Sequence, residues 1–67
     1  MIALTVNGKE RQLEGPTNLL SYIQSLGINL WLIAVAYNGT VLRKEDLPNV
    51  MLSAGDQVEI VRAVGGG

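Results

Sequence analysis

Residues 54–67 read Ala54-Gly55-Asp56-Gln57-Val58-Glu59-Ile60-Val61-Arg62-Ala63-Val64-Gly65-Gly66-Gly67. Gly55-Asp56 is turn chemistry. From Gln57 onward, Val58 and Ile60 alternate with Gln57 and Glu59, which is the period of a half-buried strand. The alternation falters at Val61-Arg62-Ala63-Val64, where apolar residues fall on both faces. Three of the chain's eight glycines then close the stretch. The other clean alternation is at the opposite end, where Ile2, Leu4 and Val6 are set against Ala3, Thr5 and Asn7. Two amphipathic strands at the two ends of so short a chain bury their apolar faces best as neighbours in the middle of one sheet.

The segments between them supply the rest of that sheet and its cover. Asn7-Gly8 tolerates positive φ and links the first strand to a second, Lys9 to Glu14, in a tight hairpin. The second strand has Leu13 as its only large apolar residue, so it is expected at a sheet edge. Glu14-Gly15-Pro16 breaks it. Thr17 is expected to cap a helix of about three turns. Leu19, Leu20, Ile23 and Leu26 form its apolar stripe, and Gly27 supplies the left-handed C-terminal cap. Leu30 to Tyr37 reads as a strand buried on both faces, with Trp31 as a lid on the core. Ala34 and Ala36 leave space for another element to pack closely. Asn38-Gly39 turns the chain into a short strand, Thr40-Val41-Leu42. Arg43-Lys44-Glu45-Asp46 is a balanced, solvated charge run forming at most a single helical turn before Pro48. The order strand, strand, helix, strand, short strand, strand is an α+β chain. It predicts a mixed sheet of four to five strands with one main helix packed across it, the β-grasp arrangement.

Composition bounds the function. Sixty-seven residues make one domain, and a chain of this size buries only roughly 60% of its unfolded surface. A private substrate cavity would hollow out that core. There is no cysteine and no histidine, which excludes disulfide scaffolds, zinc fingers, thiol nucleophiles and the commonest general base. Glu45 and Asp46 are adjacent on a turn and diverge, so they make neither a catalytic pair nor a metal site. No catalytic residue and no metal ligand is expected. A net charge of −1 argues against nucleic-acid binding. No basic-plus-apolar leader opens the chain, and no run approaches the ~20 apolar residues of a membrane span. The expectation is a cytoplasmic protein that takes part in chemistry as a partner's substrate and not as an enzyme.

The domain is expected to run over 1–63 and a flexible glycine tail over 64–67. Glycine lacks a Cβ, so such a tail fits a narrow slot with its backbone close to a ligand. Residues 64–67 extended reach ~13 Å at ~3.3 Å per residue, comparable with the domain's radius of gyration of about 11 Å. The tail can bring an ionised α-carboxyl into a partner's site while the domain docks outside. A carboxylate is a poor electrophile, but it can attack the α-phosphorus of ATP held by a partner. The acyl adenylate that results can be converted by a sulfur donor to a thiocarboxylate.

Residues 33–41 (Ile33-Ala34-Val35-Ala36-Tyr37-Asn38-Gly39-Thr40-Val41) together with 54–67 resemble the sulfur carrier protein of thiamine biosynthesis, the ThiS family, which has a ubiquitin-like β-grasp of about this length. Val6-Asn7-Gly8 and the helix start at Thr17, Leu19 and Leu20 share the resemblance, which covers nearly the whole chain. Its specific part is the combination of the Gly-Asp turn, the Val-Glu-Ile-Val strand and the final Gly-Gly. The resemblance implies that Gly67 is adenylated by a ubiquitin-activating-type adenylyltransferase and converted to the thiocarboxylate. It also implies that a sulfur donor system supplies the sulfur and that thiazole synthase takes it. Val64, Gly65 and Gly66 would thread into the partners' sites. ATP would be the partner's, with no cofactor bound stably by this chain. Many members carry proline at the position of Arg43 and tryptophan at that of Leu47, and only some have the third glycine, Gly65.

Val61 and Arg62 are the candidate docking residues, Val61 as part of an exposed apolar patch and Arg62 as a partner for an acidic surface. Otherwise Val61 packs under the helix or a loop and Arg62 is a solvated strand arginine. The molybdopterin synthase small subunit and ubiquitin-related modifiers share fold and tail but are usually longer. A small β-grasp interaction module with an incidental tail is the alternative of another class.

Overall fold

A computed structural model of the chain describes residues 1–62. Strands β1 (Ile2–Val6) and β2 (Lys9–Leu13) form the first hairpin. A two-residue strand, β3 (Thr17–Asn18), leads into helix α1 (Leu19–Ser25). A 3-10 turn over Leu30–Leu32 precedes β4 (Ile33–Tyr37), which pairs with β5 (Thr40–Leu42). A second 3-10 segment, Lys44–Asn49, is followed by β6 (Met51–Leu52) and β7 (Gln57–Arg62). The main sheet has the order β2-β1-β7-β4-β5, and β3 and β6 form a separate two-stranded ladder.

The two alternating strands from the chain ends do lie side by side at the centre, with β1 and β7 parallel and Val6 opposite Val58. This is the β-grasp arrangement, with β2 at one edge as expected. Both hairpins are two-residue loops, Val6 pairing with Lys9 and Tyr37 with Thr40. Each carries positive φ at both loop positions, 52° and 79° at Asn7-Gly8 and 49° and 87° at Asn38-Gly39. That is the turn geometry whose twist matches the flanking strands.

One face of the sheet carries α1. Leu4, Val6, Ile33, Val35 and Val58 from the sheet meet Leu19, Tyr22 and Ile23 from the helix, and Leu47 and Leu52 close the end of the core. Leu19, Ile23 and Leu52 are fully buried.

Five local expectations are corrected. The helix cap is Asn18, not Thr17. Asn18 Oδ1 accepts the Ser21 N–H at 3.2 Å, and its Nδ2 donates to the Pro48 carbonyl at 2.6 Å. Thr17 is paired with Leu52 in the small ladder, and its hydroxyl donates to the Gly15 carbonyl. The ladder keeps residues 17 and 18 extended, so α1 starts at Leu19 and makes about two turns. Its buried stripe is Leu19, Tyr22 and Ile23, and Leu26 lies half-exposed at the C-cap before Gly27, whose φ is +74°. The strand expected from Leu30 begins only at Ile33, because Asn29 Oδ1 accepts the Trp31 N–H and winds residues 30–32 into a 3-10 turn. That turn directs Leu30 against the core and Trp31 outward, 81% exposed. Trp31 is no lid; its ring has the Lys44 ammonium 5.5 Å from its centroid. Finally, Arg43 to Asp46 is solvated, but its turn continues through Pro48 to Asn49. Among the described residues no helix is long and apolar enough to cross a membrane.

Truncating a fully buried helix residue leaves a cavity, whereas truncating a solvated one does not. Ile23→Ala is expected to lower unfolding stability by about 2–5 kcal/mol. Trp31→Ala is expected to change it by no more than about 0.5 kcal/mol. Urea denaturation at matched slope measures both.

Candidate functional site

The element that leads to the glycines is β7, the central strand of the sheet. It is parallel to β1 at Gln57 and Val58, and antiparallel to β4 from Tyr37 opposite Val58 to Ile33 opposite Arg62. Both Asn-Gly turns also grip it by side chain. Asn7 Oδ1 accepts the Ile60 N–H at 2.7 Å, and Asn38 Oδ1 accepts the Gln57 N–H at 2.7 Å. The asparagines are therefore more than turn formers, since each satisfies a backbone donor of β7 that the ladders leave open.

A buried carboxylate locks the start of β7. Asp56 is 8% exposed. Its Oδ2 accepts the Tyr37 hydroxyl at 2.7 Å, the Ser53 N–H at 2.8 Å and the Ser53 hydroxyl at 3.3 Å, while Oδ1 accepts Asn38 Nδ2 at 3.3 Å. Its own carbonyl accepts the Thr5 N–H at 2.9 Å, and the Gly55 N–H donates to the Ala3 carbonyl at 2.8 Å. Strands β1 and β4 are thus tied to one residue at the mouth of β7. Burial pushes the Asp56 carboxyl up, but the bonds from Tyr37, Ser53 and Asn38 outweigh it and hold the group below its ordinary value. Conversely, the hydrogen bond to Asp56, then burial and the nearby negative charge, raise the Tyr37 phenol. These acceptor bonds are all structural, so the one buried carboxylate among the described residues is committed to the fold.

At its far end β7 presents its two faces to different surroundings. Val58 and Ile60 point toward α1. Val61 lies on the open face beside Ala34 and is 56% exposed; Ala36, Val41 and Glu59 share that face. Val61 therefore does not pack under the helix or a loop, and the space left by Ala34 and Ala36 is a shallow depression, not a seat for another element of the described chain. Arg62 is exposed on the opposite, helix-bearing face, opposite buried Ile33. The two candidate docking residues are thus neighbours in sequence on opposite sides of the sheet. Ala63, Val64, Gly65, Gly66 and Gly67 lie outside the described residues, as does the proposed boundary between 63 and 64.

Two groups escaped the reading of the chain alone. One is the set Asn7, Asn38 and Asp56, each explained there as turn chemistry. The other is Lys9 and Arg11, which face Val6 and Leu4 across the hairpin and line the same groove as Arg62. The signal for the second was present, since Lys9, Arg11 and Leu13 alternate with Glu10 and Gln12.

Comparison with known proteins bears on this geometry. The family model described as the ThiS family matches residues 4–67. The uncharacterized protein ycf40 of Trieres chinensis is 32% identical over 62 residues, spanning 92% of this chain and 85% of that protein. The thiazole synthase of Paramagnetospirillum magneticum is 31% identical over 64 residues, 96% of this chain but only 20% of the synthase's length. A crystal structure of the thiamine biosynthesis protein ThiS from Geobacter metallireducens matches with a TM-score of 0.85 at 32% identity, covering 98% of this chain and 100% of that one.

The Asp56 knot carries a pH signature. With the folded carboxyl held below its unfolded value of about 3.9, its stabilisation is complete above that value and is lost as pH falls through the folded one. Asp56→Asn is expected to cost about 1–3 kcal/mol at neutral pH and to flatten the acid limb of the stability–pH curve below about pH 4. Thermal melts across pH read both effects.

Proposed function

The chain belongs to the ThiS family, and from that premise we propose that it is the sulfur carrier of thiamine biosynthesis, a protein co-substrate and not an enzyme. Its working group is the α-carboxylate of Gly67. That carboxylate attacks the α-phosphorus of ATP bound by a ubiquitin-activating-type adenylyltransferase, and pyrophosphate leaves. A sulfide equivalent from the sulfur donor system adds to the acyl carbon of the adenylate, and AMP leaves. The resulting thiocarboxylate delivers its sulfur to thiazole synthase. ATP belongs to the partner throughout.

The observation that carries this reading is the family match running through the final glycines to residue 67 on a central strand paired with β4 as far as Arg62. A carrier needs a firm base from which a slim segment enters a foreign site, and β7 is that base. Gly65 and Gly66 carry no side chain to obstruct a narrow entry, and Val64 precedes them. Similarity to one-fifth of a protein named thiazole synthase supports the choice of sulfur acceptor, because a carrier joined to its acceptor in one chain would leave that pattern. Val61 and Arg62 remain the docking candidates beside the tail, one on each face. A cytoplasmic setting accords with partners that use ATP.

Deleting Gly66 and Gly67 together removes the Gly-Gly end and draws the terminal α-carboxylate back by ~7 Å of extended chain. Incubation with ATP and the adenylyltransferase, followed by intact-mass analysis, is expected to show the adenylate on the full chain, and replacement of one carboxylate oxygen by sulfur once the donor is added. The chain lacking both is expected to show neither, with unfolding stability within about 0.5 kcal/mol of the parent. Sulfur transfer by the truncated chain would overturn the reading.

A further inference from the structure

On the helix-bearing side of the sheet, an open groove of about 530 Å³ runs between β2, the end of β7 and the C-terminal end of α1. Lys9, Arg11 and Arg62 line it, three of the chain's five cationic side chains. Strand register explains the grouping. Lys9 and Arg11 stand opposite Val6 and Leu4, and Arg62 opposite Ile33, so all three sit on the core side of the sheet where the two-turn helix no longer covers it. Glu10 and Glu59 alternate onto the other face. Among the described residues no carboxylate lines the groove, and the only ion pairs are those of Arg43 with Glu45 and Asp46. The groove floor is apolar, formed by Tyr22, Ile33 and Ile60.

We propose that this groove docks an acidic peptide segment, carrying apolar side chains among its carboxylates, of the protein that processes the tail. The proposal rests on the carrier reading only for the identity of that protein. Residues 63–67 span at most ~17 Å of extended chain, so a macromolecule acting on the Gly67 carboxylate covers ground close to Arg62. Three like charges with no ion-pair partner among the described residues favour an anionic surface, and the apolar floor distinguishes a peptide from a hydrated phosphate chain. A nucleic-acid strand, a long polyanion, is disfavoured on a protein whose net charge is −1.

The test uses the full chain and a fluorescein-labelled probe peptide of mixed Glu, Asp and Leu, with a leucine-free peptide of equal charge as comparison. Amide shifts on titration are expected at residues 9, 11, 60 and 62. The leucine-free peptide is expected to bind several-fold more weakly. A Lys9→Gln, Arg11→Gln, Arg62→Gln variant with an unchanged melting temperature is expected to bind the probe about tenfold more weakly, in line with the few-fold effect of each exposed pair. The same variant is expected to raise KM for adenylation with kcat kept. Equal binding of the two peptides, displacement of the probe by pyrophosphate or ATP, tighter binding of a single-stranded oligonucleotide, or shifts confined to residues 34, 41 and 61 would each overturn the proposal. An unchanged KM in the variant alongside normal adenylation would overturn it while leaving the carrier reading intact. Absence of adenylation in the parent chain would sink the carrier reading, and the peptide titration would still decide the groove.

Discussion

Everything about this small protein depends on how β7 is held. A chain of 67 residues has room for one thin core, and its central strand must be both a core element and the base of whatever follows it. The Asp56 carboxylate reconciles the two demands. Four donors from Tyr37, Asn38 and Ser53 converge on it, and its backbone joins β1. A carboxylate so buried is costly without partners. Fully bonded, it makes a corner at which β1, β4 and the turn before β7 cannot move independently. The side chains of Asn7 and Asn38 extend that hold along the strand.

Such a base matters for a carrier. A segment that must enter a partner's site gains from a short, stiff root, because disorder in the root would add an entropic cost to every docking event. Pairing with β4 carries rigidity as far as Arg62, and on the other side β1 and the Asn7 side chain hold the strand as far as Ile60. The two faces at that point differ in chemistry, apolar and acidic around Val61 on one side and cationic around Arg62 on the other. A partner therefore meets a surface with a distinct handedness of charge, which sets orientation more than affinity.

Much of the fold was legible along the chain because its rules are local or periodic. Ile2, Leu4 and Val6 announce a one-sided strand, Asn7-Gly8 and Asn38-Gly39 announce tight turns, and Gly27 stands where the helix ends. The structure departs from local propensity where a distant segment or a neighbouring side chain competes for the backbone. Thr17 is a sound cap by propensity, but Leu52 on β6 pairs with it and moves the cap to Asn18. Trp31 is the kind of residue that fills cores, yet a hydrogen bond from its own N–H to Asn29 winds it outward. Of the candidate site, Val61 is legible from broken alternation and Arg62 from its charge, while the meaning of Lys9 and Arg11 depends on which face the helix covers.

By itself the sequence determined the two end strands, the main helix, the two Asn-Gly turns and the glycine run on which the proposed function rests, since each follows from period, turn chemistry or the absence of a Cβ. Tertiary structure alone decided that Asn7, Asn38 and Asp56 clamp one strand and that Val61 and Arg62 face opposite ways. It also gathered Lys9, Arg11 and Arg62 around one groove. These are relations between residues as many as 53 positions apart, as for Asn7 and Ile60. Only strand register and the short reach of a hydrogen bond bring such residues together.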